Sequence, residues 1–219
     1  MKARAVLIGL AMALGACSAE PSPTPAAPCP TEAPTTISAQ ATLADAALAT
    51  ITVSGAVEGT FAFELHGGLA PVATANFVAL ARCGFYDGIK FHRVLSGFVI
   101  QAGDPGTKTQ DGDVEGLGTG GAGYEYEIES PVDGQGYDPY SVSVANDTRT
   151  NDSQFFIALA DLNAGLPRNY TIFGQVVTGT DVIDAIAGVP VNDPRIGLPV
   201  DPVTIDSIAI SSLEEPPED

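Results

Sequence analysis

Residues 76–104 read NFVALARCGFYDGIKFHRVLSGFVIQAGD, and a helix followed by two short strands can be read along them. Asn76 to Leu80 continues an apolar stripe that opens behind Pro71, with Val72, Ala75, Phe77, Val78, Ala79 and Leu80 recurring at helical spacing. Proline is favoured in the first turn of a helix, where the N–H it lacks has no intrahelical partner to lose. A helix is therefore expected from Pro71, ending at Cys83-Gly84. Beyond it, Phe91–Val94 and Phe98–Gln101 read as strands joined by a turn at Ser96-Gly97.

Strand patterns dominate on both sides of this stretch. Upstream, Ile51, Val53, Val57, Phe61, Phe63 and Leu65 alternate onto one face, with a turn expected at Ser54-Gly55 and His66 as a turn residue at the strand end. Downstream, residues 105–123 are Gly- and Asp-rich without periodicity and read as a long surface loop. Tyr124–Ile128 alternates again. Ser141–Ala145, Gln154–Leu159 and Tyr170–Val177 are rich in β-formers. Thr180-Asp181 is the expected N-cap of a helix over Val182–Ala187, and Val203–Ile210 is a last strand. Many short strands, two helices and one contiguous core point to a mostly β fold, a barrel with helices over its ends. The high Gly and Pro counts, 24 and 17, fit a loop-rich β structure better than a helical bundle.

The N-terminus bears on the compartment. Lys2 and Arg4 precede an apolar run, Ala5–Ala13, that is too short for an ordinary transmembrane helix. The run ends in Leu14-Gly15-Ala16-Cys17, which resembles the lipobox of bacterial lipoproteins, where the cysteine is lipidated and becomes the new N-terminus. A plain signal peptide that contains a cysteine is the alternative. Residues 1–16 are thus expected to be a signal peptide. Residues 17–47 would be a lipidated Cys17 and a Pro-, Ala- and Thr-rich tether without the large apolar residues a core needs. A folded domain is expected over 48–212 and an acidic tail over 213–219. Export would place the domain outside the cytoplasm, anchored to the membrane by lipid alone. There a Cys29–Cys83 bridge can persist, two unpaired thiols being the alternative. The net charge of −18 repels nucleic acid and anionic lipid and favours solubility. No pattern calls for an obligate oligomer, so a monomer is expected.

The opening stretch resembles the cyclophilin signature, in which a helix leads through a Gly-aromatic turn into F-H-R and then G-F-x-x-Q-x-G-D. Two further blocks follow in the family's order. Ser143-Val144-Ala145-Asn146 with Asn151–Ile157 resembles its other active-site segment, and Tyr170-Thr171-Ile172-Phe173-Gly174 resembles the strand after it. The likeness runs from about Ala49 to Ile210. It implies a cyclophilin-like closed antiparallel barrel of about eight strands capped by two α-helices, and peptidyl-prolyl cis/trans isomerase activity on proline-containing segments of unfolded or exported proteins.

The barrier in such a reaction is the amide resonance, ~18–20 kcal/mol, and no bond is made or cut. No nucleophile, metal or cofactor is therefore required. As the bond twists, the nitrogen lone pair localises and accepts hydrogen bonds better. A guanidinium, always charged and presenting forked donors, favours that state. By resemblance Arg93 is that group, with Phe98 and Gln101 as catalytic neighbours. Val99, Phe156 and Leu166 would join Phe98 in the proline pocket; Ala145 and Asn146 would line the groove, and Gln101 and Asn146 would hold the substrate backbone. Val99 stands where many members carry Met. Tyr170 stands where eukaryotic members carry His, and Ala164-Gly165 lies near the place of their Trp, which puts tight cyclosporin binding in doubt. His92, beside Arg93, has no adjacent nucleophile and is expected to be a packing residue.

Three motifs are set aside. Gly118–Gly123 fits GxGxxG, but it follows a loop and precedes alternation, so no dinucleotide site is expected. Asp111, Asp113 and Glu115 are spaced as Ca²⁺ ligands can be, but complete no EF-hand, and a solvated acidic loop over 105–117 is expected. Asn146, Asn151 and Asn169 open glycosylation sequons, read as coincidence beside a bacterial lipobox. Against the enzyme stand a proline-binding module without turnover and a solute-binding lipoprotein. Arg93 argues against the first and the single compact domain against the second.

Overall fold

The computed structural model describes residues 27–109, 116–146 and 150–212. Cys17, the acidic tail and the three acidic residues of the 105–117 loop lie outside them. The elements run, in chain order, α1 (Thr36–Thr42), β1 (Leu48–Gly55), β2 (Gly59–Leu65), α2 (Pro71–Arg82), β3 (Arg93–Leu95) and β4 (Val99–Ala102). A 3-10 turn, Pro105–Lys108, opens the loop expected to be irregular. Then come β5 (Tyr126–Glu127), β6 (Ser141–Asn146), β7 (Thr150–Ala158), β8 (Ile172–Thr178), α3 (Thr180–Ala187) and β9 (Val203–Ser211).

All the ladders are antiparallel, in the order β3-β4-β7-β6-β8-β2-β1-β9, with β5 on β7. The result is a curled half-barrel, which corrects the expected closed barrel. β3 and β9 form no ladder with each other among the described residues. β3 is only three residues long, and Val94 N–H is taken by Gly197 O, 2.6 Å away in the loop before β9. A covering loop protects an edge as pairing does. In the segment ahead of β3, Phe91 N–H reaches Val203 O and Ile205 N–H reaches Ile89 O, so hydrogen bonds link the two ends there.

β1 obeys the alternation read from the sequence, with Ala49, Ile51 and Val53 buried, whereas β2 buries Phe61, Ala62 and Phe63 in succession. Pro71 does open α2, whose first free N–H groups are capped from afar: Glu129 accepts from Val72 N at 3.0 Å and Ala73 N at 2.8 Å. Phe77 fixes this helix to the sheet. Its ring lies 5.4 Å from Phe63, 5.1 Å from Tyr86, 5.6 Å from Phe155 and 5.2 Å from Phe173. One side chain thereby joins α2 to β2, β7 and β8.

Two elements depart from expectation. α1 forms within the stretch read as tether, started by a capping box in which Thr35 and Ser38 exchange side-chain and backbone hydrogen bonds. Cys29 and Cys83 are disulfide-bonded, their Cα atoms 5.1 Å apart, which ties this segment to the end of α2. At α3 the N-cap is Gly179, not Thr180, and no side chain caps the helix. Gly179 is left-handed (φ 74°) and a Cβ there would lie 2.6 Å from Phe61 Cα, so close approach to β2 decided the position.

Candidate active site

Arg93, Gln101, Phe156 and Ser143 are register partners in one row across β3, β4, β7 and β6. Directly paired residues share a sheet face. The sequence therefore sets a guanidinium, an amide and a phenyl ring side by side, because each occupies the same phase of its strand. Val99 lies two residues from Gln101 and shares that face. Its 2 % exposure and the 5 % of Phe156 mark them as the floor of a depression.

The depression has a volume of about 200 Å³ and is lined by Arg93, Phe98, Val99, Gln101, Ala145, Asn146, Phe156, Leu166 and Tyr170. All nine of the residues assigned to the site from the sequence are brought together. Arg93 sets its guanidinium carbon 5.6 Å from the centre of the Phe98 ring and donates to Gln101 Oε1 at 3.4 Å. Tyr170 meets Phe156 edge-on at 5.5 Å and closes the far wall.

The wall is held from outside. Tyr137 hydroxyl accepts from Tyr170 N at 3.1 Å and donates to Pro167 O at 3.0 Å. Asn146 Nδ2 donates to Asn169 O at 2.7 Å. Arg168 donates to the carbonyls of Pro131, Val132 and Gln135. Gly165 is exposed, and a Cβ there would meet nothing nearer than Leu162 O at 3.9 Å, so the wall ends at Leu166.

Sequence reasoning missed Gln154. Its Nε2 donates to Gly120 O at 2.8 Å and its Oε1 accepts from Gln101 Nε2 at 2.9 Å. A main-chain carbonyl can only accept. That fixes the direction of every hydrogen bond in the chain, so Gln101 must turn its oxygen to Arg93. Gln154 lies inside the quoted second block, and that was the available signal. Tyr137 had none, since it sits in a loop without pattern.

His92 lies under the site at 6 % exposure, with no hydrogen bond to either ring nitrogen. Burial chiefly, helped by Arg93, lowers its pKa to about 4, with Asp104 and the Lys90 backbone pulling the other way. It stays neutral at physiological pH and packs. The GxGxxG segment is no phosphate cradle, because Asp104 already accepts from Gly118 N at 2.8 Å and Gly120 N at 3.3 Å. Among the described residues no group of three or more His, Cys, Asp or Glu could hold a metal, and no helix is long and apolar enough to cross a membrane.

A helix-covered antiparallel half-barrel with an arginine over an apolar floor defines a class of prolyl isomerase. The family model for cyclophilin-type peptidyl-prolyl cis-trans isomerases matches residues 48–210. The chain belongs to that family. It is 38% identical over 173 residues to a probable peptidyl-prolyl cis-trans isomerase A of Mycobacterium bovis, covering 70% of this chain and 87% of the relative. To a peptidyl-prolyl cis-trans isomerase of Helicobacter pylori it is 40% identical over 147 residues, 66% of this chain and 82% of the relative. A crystal structure of a Cryptosporidium parvum cyclophilin-type isomerase superposes with a TM-score of 0.66 at 30% identity, covering 78% of this chain and 99% of that one. The chain is thus an isomerase whose substrates are proline-containing peptides.

Proposed function

We propose that the chain isomerises X-Pro bonds in exported proteins, outside the cytoplasm, with Arg93 as the catalytic residue. The proline ring would rest on Val99 and Phe156 between Phe98, Leu166 and Tyr170, where apolar contact replaces water. Gln101 and Asn146 would hold the flanking amides, and Ala145 would line the exit. Arg93 would donate to the proline nitrogen as its lone pair localises, an interaction weak in the planar amide and strong in the twisted one. The observation that carries this reading is the Arg93 guanidinium beside Phe98 at the edge of an apolar floor, with Gln101 accepting from it.

The test is isomerisation of an Ala-Pro-Phe peptide by the full chain and by Arg93→Ala and Arg93→Lys. A fall of about a hundredfold in kcat/KM for Arg93→Ala, only partly restored by Lys, supports the role. Equal rates in all three would remove it. Proline-peptide binding without turnover by the folded parent would turn the reading to a binding module.

The compartment rests on Leu14-Gly15-Ala16-Cys17, which supports cleavage after residue 16 and lipidation of Cys17. Labelling with a fatty-acid analogue that is lost in Cys17→Ser supports the anchor. Equal labelling of the two would end it.

A further inference from the structure

The loop before β6 meets the far wall of the depression through one buried side chain. Tyr137 is 1 % exposed and is not among the residues that line the depression. All its polar groups nevertheless go to the segment that carries the wall. Its N–H donates to Asn163 Oδ1 at 2.8 Å, and its carbonyl accepts from Leu162 N at 2.9 Å. Its hydroxyl accepts from Tyr170 N and lies 3.0 Å from Pro167 O and 3.1 Å from Tyr170 O. A hydroxyl has one proton, so those two carbonyls share it.

The consequence falls on two pocket residues. Leu162 O accepts from Leu166 N at 2.9 Å, so the turn that presents Leu166 starts from a residue bonded to Tyr137. Tyr170 meets two rings edge-on, Phe156 at 5.5 Å on the pocket side and Tyr137 at 6.4 Å behind it. Leu166 and Tyr170 are only half-buried, and residues 163–165, 167 and 168 are exposed. Packing alone does not fix a wall carried on so exposed a loop. Its place is set by the post behind it.

We propose that Tyr137 is a positioning residue of the isomerase, acting through Tyr170 to hold the wall at the width of a proline ring. The inference rests on the isomerase reading of the depression and adds the group that sets its affinity for proline. The wall touches the ring in the planar and the twisted amide alike. Loosening it therefore weakens ground state and transition state equally, which raises KM and leaves kcat.

The experiment uses the full chain, Tyr137→Phe, Tyr170→Ala and the double variant, each with an Ala-Pro-Phe peptide. Tyr137→Phe keeps the ring and loses the hydroxyl. It should raise KM about fivefold, with kcat within about twofold of the parent. In the Tyr170→Ala background the same change should raise KM by less than about twofold, because the group it acts through is gone. A KM equal to the parent's overturns the role, as does a fall in kcat at unchanged KM. An equal rise in both backgrounds overturns the route through Tyr170. Amide exchange reads the contact without any substitution. Peptide at about ten times its Kd should slow exchange of Tyr170 N–H about tenfold in the parent, and unchanged exchange overturns the inference. Failure of the parent to turn over the peptide overturns the isomerase reading and takes the inference with it.

Discussion

Arg93 and Gln101 are register partners, and Arg93 Nη1 donates to Gln101 Oε1 at 3.4 Å while Gln101 Nε2 donates to Gln154. The long bond to Arg93 leaves the guanidinium available to a substrate, and the short one behind it fixes which way the Gln101 amide faces. Gln154 is therefore a positioning residue that acts through Gln101.

Removing it tests the chain of amides. Gln154→Leu leaves Gln101 free to flip its nitrogen toward Arg93, at a cost of about one hydrogen bond. A loss of about fivefold in kcat, with KM little changed, is expected for a neutral Ala-Pro peptide. Gln154→Glu keeps the acceptor for Gln101 but loses the donor to Gly120, and should recover part of the rate. Wild-type kinetics in Gln154→Leu would show that Gln101 needs no support.

Phe77 touches four other aromatic rings and is 3 % exposed, so Phe77→Ala empties the joint between α2 and the sheet. A loss of about 3–5 kcal/mol is expected, read as a fall in the denaturant midpoint. Phe77→Leu should cost much less. A loss below about 1 kcal/mol in Phe77→Ala would mean that the helix is held elsewhere.

The site was legible through the resemblance of its sequence blocks to the cyclophilin signature, and the structure shows why those blocks converge. Arg93, Phe98, Val99 and Gln101 come from one hairpin, where a period of two places Arg93, Val99 and Gln101 on one face and Phe98 sits in the turn between the strands. Phe156 joins them through the register of β7 on β4. What sequence alone could not give was settled by tertiary contact. Closure of the barrel depended on whether β3 would meet β9 or the loop carrying Gly197. Gly179 displaced Thr180 as N-cap because β2 lies against it. α1 was missed because its capping signal, Thr35 with Ser38, uses Ser where Glu or Gln usually marks the box.

The Cys29–Cys83 bridge spans 54 residues of chain and lies away from the depression. Constraint of the unfolded chain by such a loop contributes about 2–4 kcal/mol. Cys29→Ser is expected to lower the denaturant midpoint accordingly and to leave kcat/KM for a neutral peptide unchanged. Reductant should shift the parent in the same way and the variant not at all. Equal stability of parent and variant would show that the bridge contributes nothing.

His92 makes stability depend on acid. Its pKa falls from 6.5 in the unfolded chain to about 4 in the fold, burial being the main cause. The unfolded state therefore binds more protons between these values, and stability rises with pH there. The contribution is fully present above pH 6.5 and is lost as pH falls towards 4, amounting to about 3 kcal/mol at the low end. Carboxylates add slopes of their own, so the measurement is a difference: denaturant midpoints from pH 7 to pH 4 for the parent and for His92→Phe. The variant should lose less stability across that window, while kcat/KM of the parent stays flat above pH 6.5, where His92 is neutral in the fold. Parallel stability curves for the two proteins would mean that His92 reaches solvent and protonates within the folded chain.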